Sequence, residues 1–154
     1  MKLGSIILDT NLLLLYVVGS VSRSYIAKHK RLTSFTEQDF DVLSNIVRNS
    51  DSVVLTPNIL TETSNLAANI ADPAKTEIFV FLGCVIAELK ESYIASCEVS
   101  SKFDFLRLGL TDASLVEVSS PELIVITADL DLHCAIQGRG DYSINFNHIR
   151  DGYL

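Results

Sequence analysis

The sequence predicts an α/β fold, a three-layer sandwich in which a mostly parallel sheet is flanked by helices. Short and nearly continuous apolar runs alternate along the chain with longer stretches of helical periodicity. Strands that are buried on both faces, as in parallel sheets, have such continuous apolar runs. The chain shows no internal repeat, low-complexity segment or linker. We therefore expect residues 1–154 to form a single domain.

The first elements are a strand and two helices. Ser5–Leu8 is predicted to be a buried strand, followed after a polar turn by an apolar helix over Leu12–Val18. Gly19 is expected to end that helix. Thr36 precedes an apolar helical face, and Asp39 follows it by three residues. This spacing is typical of a capping box, so a helix is predicted to begin there.

The middle of the chain predicts a second strand and two further helices. Val53–Thr56 is apolar and β-branched, and Pro57 stands where the first turn of a helix tolerates proline. A helix is expected from Pro57 to about Asn69, and another from Asp72-Pro73 to about Leu89. Residues 91–101 predict no single element, and within them Tyr93–Glu98 is compatible with a short strand or a loop.

The last third begins with a helical stretch that Gly109 is expected to break. Thr111 is predicted to cap the helix that follows. Leu123–Thr127 is the clearest strand of the chain, because it contains only β-branched residues and leucine. A short helix to about Gln137 and an edge strand at Tyr142–Phe146 complete the expected fold.

The composition limits the classes of function. Hydrophobic residues make up 48% of the chain and charged residues 20%, which is typical of a compact globular protein. The 12 basic and 19 acidic residues give a net charge of −7. A general nucleic-acid coat protein is therefore excluded, since such binding needs a surplus of Lys and Arg. A nuclease remains compatible, because bound divalent cations reverse the charge around acidic ligands.

The cysteines and the first residues predict a cytoplasmic protein. Cys84, Cys97 and Cys134 are odd in number and lack a CxxC spacing, so we expect reduced core residues. Asp9 and Asn11 interrupt the apolar run near the start, which argues against a signal peptide. No segment is apolar for long enough to predict a membrane span.

Four acidic residues stand at the predicted ends of strands and beginnings of helices. Asp9 directly follows the first strand, and Asp129 follows the strand Leu123–Thr127. Glu62 and Asp112 lie near the starts of helices. Ligands of parallel α/β sheets collect beyond the carboxyl ends of the strands, so the four side chains are expected to converge. Because close carboxylates repel one another, they need a cation, and an all-oxygen site selects Mg²⁺ or Mn²⁺.

Each acid also has a structural interpretation. Asp9 could cap the helix that follows, and Asp112 and Asp129 are placed where the helix macrodipole favours acids. Glu62 could belong to a solvated helix face. Taken singly, a structural role is favoured for Glu62 and Asp112. Taken together, four acids at strand and helix ends are better explained by a metal centre.

The segments around these acids resemble the PIN-domain family of VapC-like ribonucleases. A hydrophobic strand runs into Asp-Thr-Asn, a helix after the second strand presents Glu, Asp-Ala opens a later helix, and Thr-x-Asp follows a strand. The segments are, in family order, Ile7–Asn11, Thr56–Glu62, Gly109–Leu115 and Thr127–Leu132. They lie within residues 6–132, most of the chain. The resemblance implies a parallel sheet of about four or five strands.

The resemblance also implies an endoribonuclease that hydrolyses RNA phosphodiester bonds with Mg²⁺ or Mn²⁺. Asp9, Asp112 and Asp129 would then be metal ligands, and Glu62 would help to hold the metal or its waters. Nearby polar groups would orient waters or a phosphate: Thr10, Asn11 and Thr127. The family includes toxins of toxin–antitoxin pairs and often dimerises, so an antitoxin partner, a homodimer and a stand-alone processing role all remain open.

A basic segment lies beside the first acidic motif. It contains Arg23, Lys28, Lys30 and Arg31, a third of the basic residues, and no acid occurs between Asp9 and Glu37. In an acidic protein this segment is the best candidate for contact with an RNA backbone. A solvated surface is an equally good interpretation.

Two other functions compete with the ribonuclease. One is a PIN fold used as a binding module with weak or no catalysis. The other is a different α/β metal-dependent phosphatase. A phosphatase of the haloacid dehalogenase type would have Asp two residues after Asp9, where this chain has Asn11.

Overall fold

A computed structural model describes residues 2–140 and 142–152. It contains a five-stranded sheet in which every neighbouring pair of strands is parallel. The strands are β1 (Leu3–Leu8), β2 (Ser50–Leu55), β3 (Lys90–Glu91), β4 (Leu123–Thr127) and β5 (Ser143–Asn145), in the order β3-β2-β1-β4-β5. Helices flank the sheet, so the predicted α/β sandwich is confirmed.

Eight α-helices connect and follow the strands in the described part of the chain. They are α1 (Thr10–Val21), α2 (Glu37–Arg48), α3 (Pro57–Ala67), α4 (Ala74–Glu88), α5 (Ser96–Ser100), α6 (Phe103–Val118), α7 (Leu130–Gly138) and α8 (Phe146–Asp151). One turn of 3₁₀ helix, Arg23–Tyr25, follows α1. None of these helices is both long and apolar enough to cross a membrane.

The central strand β1 is the core of the sheet. Ile6, Ile7 and Leu8 are fully buried because β1 pairs with β2 on one side and with β4 on the other. Ile7 lies opposite Val54 and Val125, so three apolar strands meet at one level. This environment explains why the strand is apolar at successive positions, without alternation.

The strand order creates a switch point between β1 and β4. The chain passes outwards from β1 through β2 to β3, then returns across β1 to β4 and β5. Right-handed crossovers therefore place the helices of the two halves on opposite faces of the sheet. The connections that leave β1 and β4 diverge, and a crevice opens where those strands end. Asp9 and Asp129 lie at that crevice.

The sequence predicted that the first helix ends at Gly19, and this prediction was wrong. The helix continues to Val21, and the backbone amide of Ser22 donates to the carbonyl of Val18. A Cβ atom built on Gly19 would lie 2.3 Å from Cδ2 of Phe40. The glycine is thus explained by the close approach of the Phe40 ring, from α2, to the backbone of α1.

The predictions for Gly109 and Thr111 had different outcomes. Gly109 does interrupt helical geometry, with φ of +80°, inside the helical span Phe103–Val118. Thr111 does not act as a helix cap; its hydroxyl donates to Glu62. In contrast, the capping box at Thr36 and Asp39 is confirmed, with both reciprocal hydrogen bonds present.

The weakly predicted segments contain short elements. Residues 91–101 contribute the end of β3 and the short helix α5, where the sequence predicted a strand or a loop. The last strand is only Ser143–Asn145, and α8 follows it directly. The Asn145 side chain accepts from the amide of Asn147 and so caps this unpredicted helix.

The predicted burial of the cysteines was wrong. Cys84, Cys97 and Cys134 are free thiols, as expected, but all three are exposed on the outer sides of helices α4, α5 and α7. Helical periodicity places them away from the core, which aliphatic side chains fill.

Candidate metal centre

All four acids singled out from the sequence line one cleft at the carboxyl edge of the sheet. The cleft has a volume of about 430 Å³. Asp9 comes from the end of β1, Glu62 from α3, Asp112 from α6 and Asp129 from the end of β4. Thr10, Asn11, Arg31, Asn65 and Leu66 complete its lining. Residues more than 100 positions apart thus meet where the strands end.

Asp9 is the most buried of the four acids, with an exposure of 5%. Its Oδ1 accepts from the amide of Leu12 at 2.9 Å, and its Oδ2 accepts from the Thr127 hydroxyl at 2.5 Å and the Ala128 amide at 3.1 Å. Burial raises the pKa of Asp9, and these three hydrogen bonds partly oppose that rise. The carboxylate is therefore fixed in place, and it also caps α1 as its structural interpretation required.

Thr127 links the two acids at the switch point. Its hydroxyl donates to Asp9 and accepts from the backbone amide of Asp129 at 2.9 Å. Asp129 caps α7, with Oδ1 accepting from the amide of Leu132 at 3.1 Å. Its Oδ2 has no hydrogen-bond partner among the described residues. One fully buried hydroxyl thus sets the relative positions of the β1 and β4 termini.

Two threonines hold the carboxylate of Glu62. The Thr111 hydroxyl donates to Oε1 at 2.7 Å, and the Thr10 hydroxyl donates to Oε2 at 3.2 Å. These bonds tie α3 to both α1 and α6 across the cleft. Thr10 was expected to contribute to the site, whereas Thr111 was interpreted only as a helix cap. Its position directly before Asp112 was the signal that could have placed it here.

Asp112 experiences the combined charge of the site. Partial burial, together with repulsion from Asp9, Asp129 and Glu62, raises the pKa of Asp112 to about 7. Its carboxylate makes no hydrogen bond to any described residue, so no donor offsets this repulsion. Burial is the largest cause of the rise in the pKa of Asp112, and repulsion from the three neighbouring acids adds to it; a bound cation would relieve that repulsion.

The donor set fits Mg²⁺ or Mn²⁺, since the side chains that converge supply oxygen atoms only. Over residues 2–140 and 142–152, however, no group of three or more His, Cys, Asp or Glu side chains is already arranged to hold a metal ion. The oxygens of Asp9 and Glu62 are turned towards hydroxyl and amide donors. Asp112 and one oxygen of Asp129 are the acceptors left for a cation.

The basic segment is divided by the fold. Arg31 and Asn11 line the acidic cleft, while Lys28 and Lys30 line a different cavity beside residues 69–74. Arg23 forms ion pairs with two acids of α2, at 3.6 Å to Glu37 and 2.8 Å to Asp41. Contact of Arg23, Lys28 and Lys30 with RNA therefore stays a prediction from the sequence.

Asn65 was not among the predicted site residues, yet it lines the cleft from α3, one helical turn after Glu62. Asp131, two residues after Asp129, is exposed and lies outside the lining of the cleft. The acids that line the cleft are thus the four that the sequence predicted, two at the ends of strands and two within helices. No protein-family model, curated protein or solved structure matches the chain.

Proposed function

We propose that this chain is a PIN-like, Mg²⁺- or Mn²⁺-dependent endoribonuclease. The observation that supports the proposal is the meeting of Asp9, Glu62, Asp112 and Asp129, from four separate elements, in one cleft at the switch point of a parallel sheet. A fold does not determine a function, so the proposal rests on these side chains and not on the sandwich. Four acids at the end of β1, on α3, on α6 and at the end of β4 also match the order of the PIN motifs.

The metal would be held first by Asp112 and Asp129, whose free oxygens face the cleft, and Asp9 would complete the ligand set. When bound, Mg²⁺ or Mn²⁺ supplies a lowered pKa for the attacking water and positive charge against the phosphodiester. Glu62, fixed by Thr10 and Thr111, would accept hydrogen bonds from water inside the cleft.

The protein itself supplies rigidity and charge. Asp9 is locked by three donors, so its carboxylate offers a fixed acceptor without reorganisation. Asn11 and Arg31 present donor groups at the mouth of the same cleft. A phosphodiester would otherwise be repelled by four acids, and these donors give the substrate an attractive approach.

Metal-dependent cleavage of single-stranded RNA tests the proposal. Asp9→Asn should abolish cleavage. Its carbonyl oxygen can still cap α1, but its amide group then faces the Thr127 and Ala128 donors, so circular dichroism and thermal unfolding must show that the variant is folded. Asp131→Asn is the matched control, since Asp131 is exposed and outside the cleft. Absence of cleavage with both Mg²⁺ and Mn²⁺, or equal cleavage by Asp9→Asn and the wild type, would show that the chain is not this enzyme.

A binding module without catalysis is the second candidate. It is favoured by the absence of a ready-made metal-holding group in the described residues. Metal-dependent RNA binding without any product would support it over the ribonuclease. A partner antitoxin in the cytoplasm is a further proposal, which a small neighbouring gene would support and which co-purification of the two chains would test.

A further inference from the structure

A second pocket, of about 300 Å³, adjoins the acidic cleft and is lined by two arginines and a single acid, Asp129. Arg31 and Arg150 are its cationic residues. Its lining is Asn11, Arg31, Ser34, Phe35, Ala128, Asp129, Asn147 and Arg150. Asn11, Arg31 and Asp129 line both spaces, so the two are continuous. We call this space the arginine pocket.

Arg150 is held in the arginine pocket by residues of α2 and the segment before it. Its Nη1 donates to the carbonyl of Ser34 at 3.1 Å and lies 3.4 Å from Oδ2 of Asp39. The guanidinium also lies over the ring of Phe35, 5.4 Å from its centroid. A guanidinium has five N–H donors. Only Nη1 is engaged by the described residues, so the other nitrogens are free to donate to a ligand.

Asp39 forms an ion pair with Arg150, with 3.4 Å between Oδ2 and Nη1, but the acceptor oxygen is shared with a second donor. The same Oδ2 accepts from the amide of Thr36 at 2.8 Å in the capping box of α2. Its distance of 3.4 Å from Nη1 is long for a charge-assisted hydrogen bond. The carboxylate thus orients the guanidinium and offsets part of its charge, while the nitrogens other than Nη1 stay available to an anion.

Arg31 is exposed, and its guanidinium makes no ion pair or hydrogen bond with the described residues. Its backbone is nevertheless fixed, because the amide of Arg31 donates to Nδ1 of the buried His29 at 3.2 Å. An arginine with an anchored backbone and a free head group stands at the boundary between the acidic cleft and the arginine pocket.

Asn147 connects this pocket to the candidate metal centre. Its Nδ2 donates to the carbonyl of Ala128 at 2.9 Å, one residue before Asp129. Helix α8, which carries Asn147 and Arg150, is thus fixed to the loop that presents a metal-centre acid. A ligand bound to Arg150 would therefore have a defined position relative to Asp129.

We propose that the arginine pocket binds a phosphate of the RNA strand adjacent to the phosphate that is cleaved. This inference rests on the proposed ribonuclease function and adds a substrate-positioning role for Arg150 and Arg31. The strand would pass from the metal centre over Asn11 and Arg31. Two arginines suit phosphate recognition because their planar forks can donate two hydrogen bonds at once.

Binding measurements separate this inference from catalysis. Short single-stranded RNA is titrated, in Mg²⁺, into Asp9→Asn protein that also carries Arg31→Gln or Arg150→Gln. Each change should weaken binding about tenfold or more, since hydrogen bonds to charged groups are strong. The salt dependence of binding should also become shallower, by about 0.7 in the log–log slope for each lost phosphate contact.

Arg48→Gln in the same background is the matched control. Arg48 is exposed at the end of α2, directly before β2, and so lies at the amino edge of the sheet, opposite the cleft. The Arg48→Gln substitution removes one positive charge, as the other two do, but does not alter the arginine pocket. Equal affinities for the Arg31, Arg150 and Arg48 variants would overturn the inference. Arg150→Lys, which keeps a charge above Phe35, should lose less affinity than Arg150→Gln if both fold.

A scan with neutral phosphates identifies the contact. A set of RNA oligonucleotides, each with one methylphosphonate, should show one position of reduced affinity beside the cleaved bond. The same substitution should have no further effect on the Arg31→Gln protein. If the sensitivity persists in the Arg31→Gln protein, Arg31 is not the phosphate ligand.

The two proposals can fail separately. If the wild type binds RNA through the arginines but does not cleave it, the ribonuclease is refuted and the arginine pocket is retained. If Arg31→Gln and Arg150→Gln leave cleavage unaffected, the arginine pocket is refuted and the ribonuclease is retained. Failure of the wild type to bind RNA would refute both.

Discussion

The hydroxyl of Thr127, at the end of β4, lies 2.5 Å from Oδ2 of Asp9, at the end of β1. These residues are 118 positions apart in the chain. Thr127 is fully buried and Asp9 is almost fully buried. Burial disfavours the charged form of Asp9 and raises its pKa, and Thr127 is one of three donors that stabilise the charged form. The stability of the sheet and the geometry of the candidate metal centre thus both depend on the hydrogen bond from Thr127 to Asp9.

Replacing Thr127 with valine keeps the shape of the side chain and removes the hydroxyl. The free energy of unfolding should fall by about 1–3 kcal/mol, because a buried carboxylate oxygen loses a donor. The pKa of Asp9 should rise further, since the Thr127 bond lowers it. Chemical denaturation measures the first effect. Thr127→Ser keeps the donor and should stay closer to the wild type; equal losses for both variants would point to packing.

Stability without metal should depend on pH through Asp112. Its pKa is raised from 3.8 to about 7 on folding, so the folded state binds the extra proton between those values. The contribution of Asp112 is present in full below about pH 4 and is lost as the pH rises through about 7. Asp9, whose pKa is also raised, acts in the same direction. Denaturation in EDTA across this range should show the decline.

Asp112→Asn should flatten this pH dependence and increase stability above pH 7 in the absence of metal. Asp104→Asn, on the same helix but paired with Arg107 at 3.7 Å outside the cleft, is the control. An unchanged pH profile for Asp112→Asn would mean that the acids do not interact as described. Mg²⁺ should stabilise the wild type more at pH 8 than at pH 6, since protons and cations compete for the carboxylates.

Thr111 should matter to Glu62 more than Thr10 does, because its hydrogen bond is shorter, 2.7 Å against 3.2 Å. Thr111→Val should reduce RNA cleavage by roughly 10- to 100-fold, the range seen when a partner of a metal-site residue is removed. Thr10→Val should have a smaller effect. Cleavage rates over a Mg²⁺ titration measure both, and full recovery in Thr111→Ser is the control. Full activity of Thr111→Val would show that Glu62 needs no such support.

Gly19→Ala should destabilise the protein by about 1–3 kcal/mol, as overpacking does. The new methyl group would overlap the Phe40 ring, whose nearest atom is 2.3 Å from the Cβ position. Gly83→Ala is a matched control in α4, where no atom lies within 4 Å of the added Cβ. That change should stabilise by about 0.5–1 kcal/mol, because alanine favours helix. Thermal unfolding of the two variants distinguishes close packing from helix propensity.

Features that depend on local chemistry were predicted from the sequence. The strand Leu123–Thr127, the capping box at Thr36 and the convergence of the four acids in one cleft all appear in the structure, although Glu62 and Asp112 lie inside α3 and α6 and not at helix ends. Each follows from residue types within a few positions, combined with the rule that ligands gather at the carboxyl edge of a parallel sheet. The sandwich itself was predictable for the same reason.

Features that depend on distant contacts were not predicted. Gly19 looked like a helix stop because the approach of Phe40, 21 positions away, leaves no local signal. Thr111 looked like a cap because its partner, Glu62, lies on another helix. Arg150 was not among the predicted site residues, because only the folded chain brings it over Phe35 and into a pocket with Asp129. Arg31 was singled out, but its separation from Lys28 and Lys30 required the three-dimensional course of residues 23–31.

The placement of β1 at the centre of the sheet has a consequence for synthesis. Residues 3–8 are made early, yet β1 gains its second neighbour only when β4, residues 123–127, has been added. Asp9 has neither Thr127 nor Asp129 beside it until then. A growing chain on the ribosome therefore cannot complete the four-acid cleft until residue 129 has emerged and docked, and the proposed nuclease would lack its site until then.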